Sequence, residues 1–147
     1  MEIATLKVKI EKKDLFHHLD FPFVVDGDYS RLVIKYDYSP KQYAGEDAYQ
    51  LAYNAFVEAY GEYKVNEEEV KRELPLNNHI TLSISKDGRL IGTAHRHNPN
   101  MEIEIGKRST VGFHSVENVK GKYILTLSVH AILSKEVLSK IKVCAYE

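Results

Sequence analysis

Residues 121–131 read GKYILTLSVHA, and the alternation in this stretch decides the fold class. Large apolar side chains occupy every second position, which is the period of a strand that turns one face to a core. The residues on that face are Tyr123, Leu125, Leu127, Val129 and Ala131. A glycine precedes the run, as expected where a turn leads into a strand.

The same two-residue period recurs on both sides of the middle of the chain. A weaker candidate strand covers Thr110–His114, and Asp87-Gly88 predicts a tight hairpin turn. We therefore expect eight or nine strands joined by turns. The clearer ones are predicted at residues 6–10, 21–25, 32–38, 80–84, 90–94, 101–105 and 141–145.

The middle of the chain has a helical period instead. From Gly45 to about Gly61, aromatic side chains recur at a 4-3-4-3 spacing, which predicts one helix that ends at the glycine. Asn66 and Glu69 have the spacing of a capping box, so a second, short helix is predicted over Glu67–Glu73. The aromatic stripe consists of Tyr49, Tyr53, Phe56, Tyr60 and Tyr63.

Strand-rich segments on both sides of a single helical pair do not fit regular βαβ alternation. With 147 residues, one core is expected. We predict a mainly β chain, with a single antiparallel β-sandwich or jelly-roll domain over residues 1–147 and an α-hairpin inserted at residues 45–73. The alternative is an α+β fold with the helices on one face of an antiparallel sheet.

The charge balance argues against two classes of partner. The chain has 20 basic and 21 acidic residues, so no overall positive field attracts nucleic acid or an acidic membrane. Apolar runs of five or six residues are too short to span a bilayer. Cys144 is the only cysteine, which excludes an intrachain disulfide, and the charged first residues lack the apolar region of a signal peptide. We expect a cytoplasmic protein that binds neither nucleic acid nor membrane.

Motifs of common catalytic sites are absent from the sequence. It has no Gly-x-Ser-x-Gly elbow, no Gly-x-Gly-x-x-Gly and no Walker-type loop, so we predict no catalytic residues and no cofactor.

The only His-x-His motif is formed by His95 and His97, which would share one face of a strand. Zinc needs at least one more protein ligand, so we expect surface residues rather than a metal site. The alternative is a metal-binding or metal-dependent jelly-roll enzyme that uses His95 and His97, its third ligand drawn from His79, His114, His130 or Glu102.

The aromatic stripe has three interpretations. Packing of the helix on the sheet is the expected one. A 4-3 spacing also suits a self-association face, and exposed coplanar rings would suit stacking on sugars. If the stripe is exposed, a protein partner or a second copy of the chain is the expected occupant.

Two blocks of sequence carry a resemblance to a known family. The first is FPFVVDGDYSRLVIKYDYSP at residues 21–40. The second combines HITLSISKDG at 79–88, GTAHRH at 92–97, IEIG at 103–106, STVGF at 109–113 and GKYILTLSVHA at 121–131. Together they resemble the non-catalytic β-sandwich that precedes the catalytic barrel in some PHP-type (polymerase and histidinol phosphatase) metal-dependent hydrolases.

The sequence departs from the family pattern at two places. Residues 109–112 are Ser-Thr-Val-Gly where Ala-Thr-Pro-Gly is usual, and Tyr123 stands where Trp is common. The helices fall outside the resemblance, and the metal ligands of the barrel have no counterpart in the chain. The resemblance therefore implies a non-enzymatic accessory domain, the partner of a separately encoded PHP-type hydrolase.

Overall fold

A computed structural model describes residues 1–94 and 100–147, which contain eight strands, two α-helices and two short 3-10 helices. The strands are β1 Glu2–Glu11, β2 His18–Val25, β3 Arg31–Ser39, β4 His79–Lys86, β5 Arg89–Ala94, β6 Asn100–Gly106, β7 Gly121–Ala131 and β8 Glu136–Tyr146. The α-helices are α1 Ala48–Tyr60 and α2 Glu67–Arg72, and among the described residues no helix is long and apolar enough to cross a bilayer.

The strands form two four-stranded antiparallel sheets. Sheet A has the order β1-β8-β3-β6 and sheet B the order β2-β7-β4-β5. The inward side chains of both sheets belong to one apolar core. The predicted antiparallel sandwich with a small helical insertion is thereby confirmed, and the α+β alternative is not observed.

The core follows directly from the two-residue period. Leu32 and Ile34 of sheet A and Leu125 and Leu127 of sheet B are fully buried, and their chain neighbours point outward. Tyr123 stacks on Phe23 with ring centroids 5.0 Å apart, and its hydroxyl donates to the Val119 carbonyl at 2.6 Å. The hydroxyl is satisfied inside the core, and burial raises its pKa well above the ordinary value.

The predicted hairpin turn joins β4 to β5. Asp87 and Gly88 both have positive φ, as a two-residue hairpin of this twist requires. The Asp87 carboxylate accepts a hydrogen bond from the Lys122 backbone N–H at 2.9 Å. That bond and the Lys86 ammonium hold the pKa of Asp87 below its usual value.

The weak strand prediction at Thr110–His114 is wrong. This segment folds back on the end of β6: the Thr110 N–H donates to the Glu104 carbonyl, and the Phe113 N–H donates to the Thr110 carbonyl. Gly112 has φ +98°, which breaks extended geometry. Only an isolated bridge between Gly92 and Phe113 remains of the expected pairing.

The two ends of the helical insertion are held together by backbone pairing. Gln42 and Asn77 form an antiparallel bridge, and the Tyr43 N–H donates to the Leu76 carbonyl at 2.8 Å. Next to this ribbon lies Asn78, which is fully buried.

The Asn78 side chain satisfies all of its hydrogen-bonding groups. Its Nδ2 donates to the Pro40 carbonyl at 2.9 Å and to Ser134 Oγ at 2.8 Å. Its Oδ1 accepts from the backbone N–H groups of Leu133 at 2.8 Å and Ser134 at 3.3 Å. Asn78 thereby links the end of β3 to the connection between β7 and β8.

Replacement of Leu127 tests the core. Leu127→Ala should lower the free energy of unfolding by about 2–5 kcal/mol, because it removes a fully buried side chain and leaves a cavity. Ile124→Ala is the control, since Ile124 lies on the same strand but is 41% exposed. Urea unfolding followed by circular dichroism measures both. A cost for Leu127→Ala no greater than that of the control would contradict the buried position.

Replacement of Asn78 tests the link between the end of β3 and the β7–β8 connection. Asn78→Ala should cost at least about 2 kcal/mol, because it leaves several partly buried backbone groups without partners. Asn77→Ala is the adjacent control: Asn77 is exposed and its bridge uses backbone atoms only. Equal losses of stability in the two variants would show that the carboxamide of Asn78 has no special role.

Candidate functional site

The helical insertion has well-defined ends. Helix α1 ends at Tyr60, and Gly61 follows with φ +87°, a conformation that favours glycine. Helix α2 begins after Asn66, whose side chain accepts a hydrogen bond from the Glu68 N–H at 2.9 Å. Asn66 is therefore the N-cap, although its bond goes to Glu68 rather than to Glu69 of the predicted capping box, and α2 ends at Arg72, one residue before the predicted end.

The two helices pack on each other. Ala52 is the buried residue of α1, and Val70 is the buried residue of α2. Neither belongs to the sandwich core. The insertion therefore has a small apolar centre of its own.

The aromatic stripe does not pack on the sheets, so the expected core interpretation is wrong. Among the described residues, none of Tyr49, Tyr53 and Phe56 is part of the core or packed against it. Tyr60 is 64% exposed and Tyr63 is fully exposed. The physical reason is that the inward side chains of the two sheets already fill the core, so the insertion, whose two ends pair with each other, is not needed to cover it.

The stripe residues pair along the helix. The ring centroids of Tyr49 and Tyr53 lie 6.2 Å apart with an interplanar angle of 31°, and those of Phe56 and Tyr60 lie 5.9 Å apart at 45°. These rings are tilted rather than coplanar, which does not fit a flat sugar-stacking platform.

A shallow groove of about 410 Å³ lies beside the aromatic rings. It is lined by Ala52, Ala55, Phe56, Tyr60, Glu73 and Leu76.

The insertion is also strongly acidic. Between Gly45 and Glu73 the chain has eight acidic and three basic residues, a net charge of −5. Because the whole chain has a net charge of −1, the remaining residues carry +4. Helix α2 alone has three consecutive glutamates in its first turn. The exposed aromatic rings therefore lie within a negative surface.

The histidines do not assemble a metal site in the part of the chain that the structure describes. No group of three or more His, Cys, Asp or Glu side chains in residues 1–94 and 100–147 has an arrangement suited to a metal ion. His95 and His97 lie outside the described residues.

The proposed third ligands are spread over different elements. Glu102 is on sheet A, His79 and His130 are on sheet B, and His114 is in the connection between β6 and β7.

One serine–histidine pair on sheet B has a spacing known from hydrolases. Ser128 Oγ lies 2.7 Å from His18 Nδ1, a distance at which a base could activate a nucleophile. However, β7 is paired on both sides, so the backbone N–H groups around Ser128 are engaged in strand ladders rather than free to form an oxyanion hole. His130 Nε2 bonds Thr81 Oγ1 at 2.8 Å on the same sheet, and we interpret both contacts as cross-strand pairing.

Leu76 and Glu73 are the groove residues that the sequence did not indicate. They follow α2 rather than α1, so neither falls in the aromatic period. The acidic excess of residues 45–73 was a usable signal, because it can be counted from the sequence.

Comparisons with known proteins give no functional assignment. No protein-family model matches the chain, and no curated protein matches it. Among solved structures, the crystal structure of GEBA250068378 from Sulfurospirillum deleyianum aligns with 96% of this chain and 98% of its own, at 13% identity and a TM-score of 0.40. A likeness at this level assigns neither a fold nor a function.

Replacement of Val70 tests whether the insertion is an independent unit. In Val70→Ala, the amides of residues 48–72 should exchange hydrogen faster while those of the strands do not change, because Val70 is buried in the insertion alone. Val137→Ala, in the sandwich core, should show the reverse pattern. Hydrogen exchange measured by mass spectrometry distinguishes the two. Faster exchange throughout the Val70→Ala protein would contradict the separation.

Proposed function

We propose that this protein is a non-enzymatic binding module that engages another protein through its helical insertion. The observation that carries the proposal is the exposure of Tyr60 and Tyr63 on an element that the sandwich core does not need. Tyrosine is enriched among the residues that dominate the energy of protein interfaces, because its ring buries a large area and its hydroxyl still forms hydrogen bonds.

The chemistry of the insertion specifies the chemistry of its partner. A surface of net charge −5 is complementary to a surface rich in Lys and Arg, and such complementarity speeds encounter and suppresses wrong partners. The groove beside Phe56 is lined by small and apolar side chains, apart from Glu73. It suits one apolar anchor from the partner, surrounded by basic residues.

The identity of the partner rests on the sequence resemblance. The resemblance to the sandwich domain of PHP-type hydrolases supports a separately encoded PHP-type hydrolase as the partner, with the complex located in the cytoplasm. A non-enzymatic role agrees with the pairing of Ser128 and His18 inside a sheet rather than in a cleft.

The double variant Tyr60→Ser with Tyr63→Ser tests this function. Wild-type and variant proteins are used in parallel to capture partners from cells that naturally express the protein, and a stoichiometric partner is then purified and titrated. We expect the double variant to bind at least about tenfold more weakly, because two exposed aromatic side chains of the interface are lost. Circular dichroism verifies that the fold is retained.

Leu90→Ser is the matched control. Leu90 is an exposed apolar residue, 57% accessible, but it lies on β5 of the sandwich. It should bind the partner like the wild type. A purified partner that binds all three proteins equally would overturn the proposal. If the protein instead forms a concentration-dependent dimer that only the double variant loses, the occupant of this surface is a second copy of the chain and not a basic partner.

A further inference from the structure

The outer face of sheet A carries a second surface, built from two rows of side chains. The rows follow from the strand register, which places Thr5, Lys142, Lys35 and Glu102 side by side across the sheet. The next row, two residues along each strand, contains Lys7, Lys140 and Asp37. Rows two residues apart on a strand are separated by about 7 Å.

A groove of about 420 Å³ lies between these rows. Its lining also includes Leu6, Tyr36 and Ile141, the residues between the two rows on their strands. Tyr36 and Ile141 turn their side chains into the core and are 2% exposed. Their backbone atoms therefore form part of the floor of the groove. The groove therefore has a backbone floor and walls made mainly of lysine.

The strand pairing brings like charges together in this groove. Lys7 is the cross-strand partner of Lys140, and Lys35 is the cross-strand partner of Lys142. Directly opposed like charges destabilise a sheet. A folded protein that places two such pairs in one depression has a surplus of positive charge there, which a bound anion would relieve.

The four lysines of the groove are only partly balanced by carboxylates: Asp37 and Glu102 are the cross-strand partners of Lys140 and Lys35. Lys142 is 3.7 Å from the Glu2 carboxylate. Among the described residues, no carboxylate lies within ion-pair distance of Lys7, Lys35 or Lys140.

Two other ion pairs of this face lie outside the groove. Lys9 is paired with Glu136 at 3.1 Å, which raises the pKa of Lys9, and Arg31 lies 3.7 Å from Glu104.

The acidic residues limit the size of the ligand. Asp37 and Glu102 line the groove on β3 and β6, beside Lys35 of β3 and across from the lysines of β1 and β8. They repel an anion that extends across the whole sheet. The favourable region is therefore confined to the four lysines, which suits a compact anion and disfavours a long polymer such as nucleic acid.

We propose that the groove between Lys7, Lys35, Lys140 and Lys142 binds a small polyanion that carries at least two phosphate or carboxylate groups. Lysine ammonium groups bind such oxyanions as point charges, without the fixed geometry that arginine imposes. This site is separate from the insertion and does not depend on the function proposed for it.

Calorimetric titration with pyrophosphate and with citrate tests the site, each against sodium chloride of matched ionic strength. Lys35→Gln and Lys140→Gln should each weaken binding about tenfold, because one unpaired cation is lost from the cluster. Lys120→Gln removes an exposed lysine of the β6–β7 connection and should bind like the wild type. Asp37→Asn should tighten binding, since it removes a repelling charge without changing the shape.

Thermal unfolding separates a binding site from a structural role of the same lysines. Without an anion, Lys140→Gln should unfold at about the wild-type temperature, because the repulsion from Lys7 and the attraction to Asp37 are lost together. With pyrophosphate, the wild type should gain stability and Lys140→Gln should gain less. Tighter binding of pyrophosphate would assign phosphate groups as the ligand, and tighter binding of citrate would assign carboxylates.

Three results would overturn the proposal. The first is absence of binding by both anions. The second is a stabilisation that sodium chloride reproduces at the same ionic strength, which would be screening alone. The third is equal weakening by Lys140→Gln and Lys120→Gln, which would show that the anions respond to net charge rather than to the groove.

Discussion

The buried carboxamide of Asn78 joins two of the connections that cross between the sheets, β3 to β4 and β7 to β8. Strand β3 of sheet A is followed by β4 of sheet B, and β7 of sheet B is followed by β8 of sheet A. Asn78 bonds the Pro40 carbonyl after β3 and the backbone N–H groups of Leu133 and Ser134 before β8. Its own N–H donates to the Lys41 carbonyl. A buried amide with every group satisfied fixes one geometry, so both crossings and the base of the insertion are set together.

The pairing of the two ends of the insertion explains why its helices do not pack into the sandwich core. Because residues 41–43 and 76–78 pair with each other, the segment between them can form helices without contributing to the sandwich. Val70 and Ala52 supply a small centre for the insertion, and Tyr60 and Tyr63 stay exposed on its surface. A loop of this length in a compact domain is costly to order, and such segments commonly carry function.

Local periodicity predicted the eight strands, the Asp87-Gly88 turn and both α-helices, because each depends on neighbouring residues alone, but it also predicted a strand at Thr110–His114 that does not form. The placement of the aromatic stripe was not predictable, since a 4-3 spacing is the same whether Phe56 faces a sheet, another helix or solvent. Asn78 gave no periodic signal. The lysine groove depends on the order β1-β8-β3, which brings Lys7, Lys140 and Lys35 together from distant parts of the sequence. Strand order is a tertiary property, and alternation does not encode it.

The net charge of the chain is near zero, but two of its surfaces have opposite charge and could attract each other between copies. The insertion carries −5, while the outer face of sheet A presents Lys7, Lys35 and Lys140, which have no ion pair among the described residues. Contact between the insertion of one copy and the groove of another would be heterologous, and such contacts build open chains unless a rotation closes them. A polyanion in the groove would cancel the attraction at its source. Occupancy of the groove would therefore favour the monomer and keep the acidic insertion available for a different, basic partner.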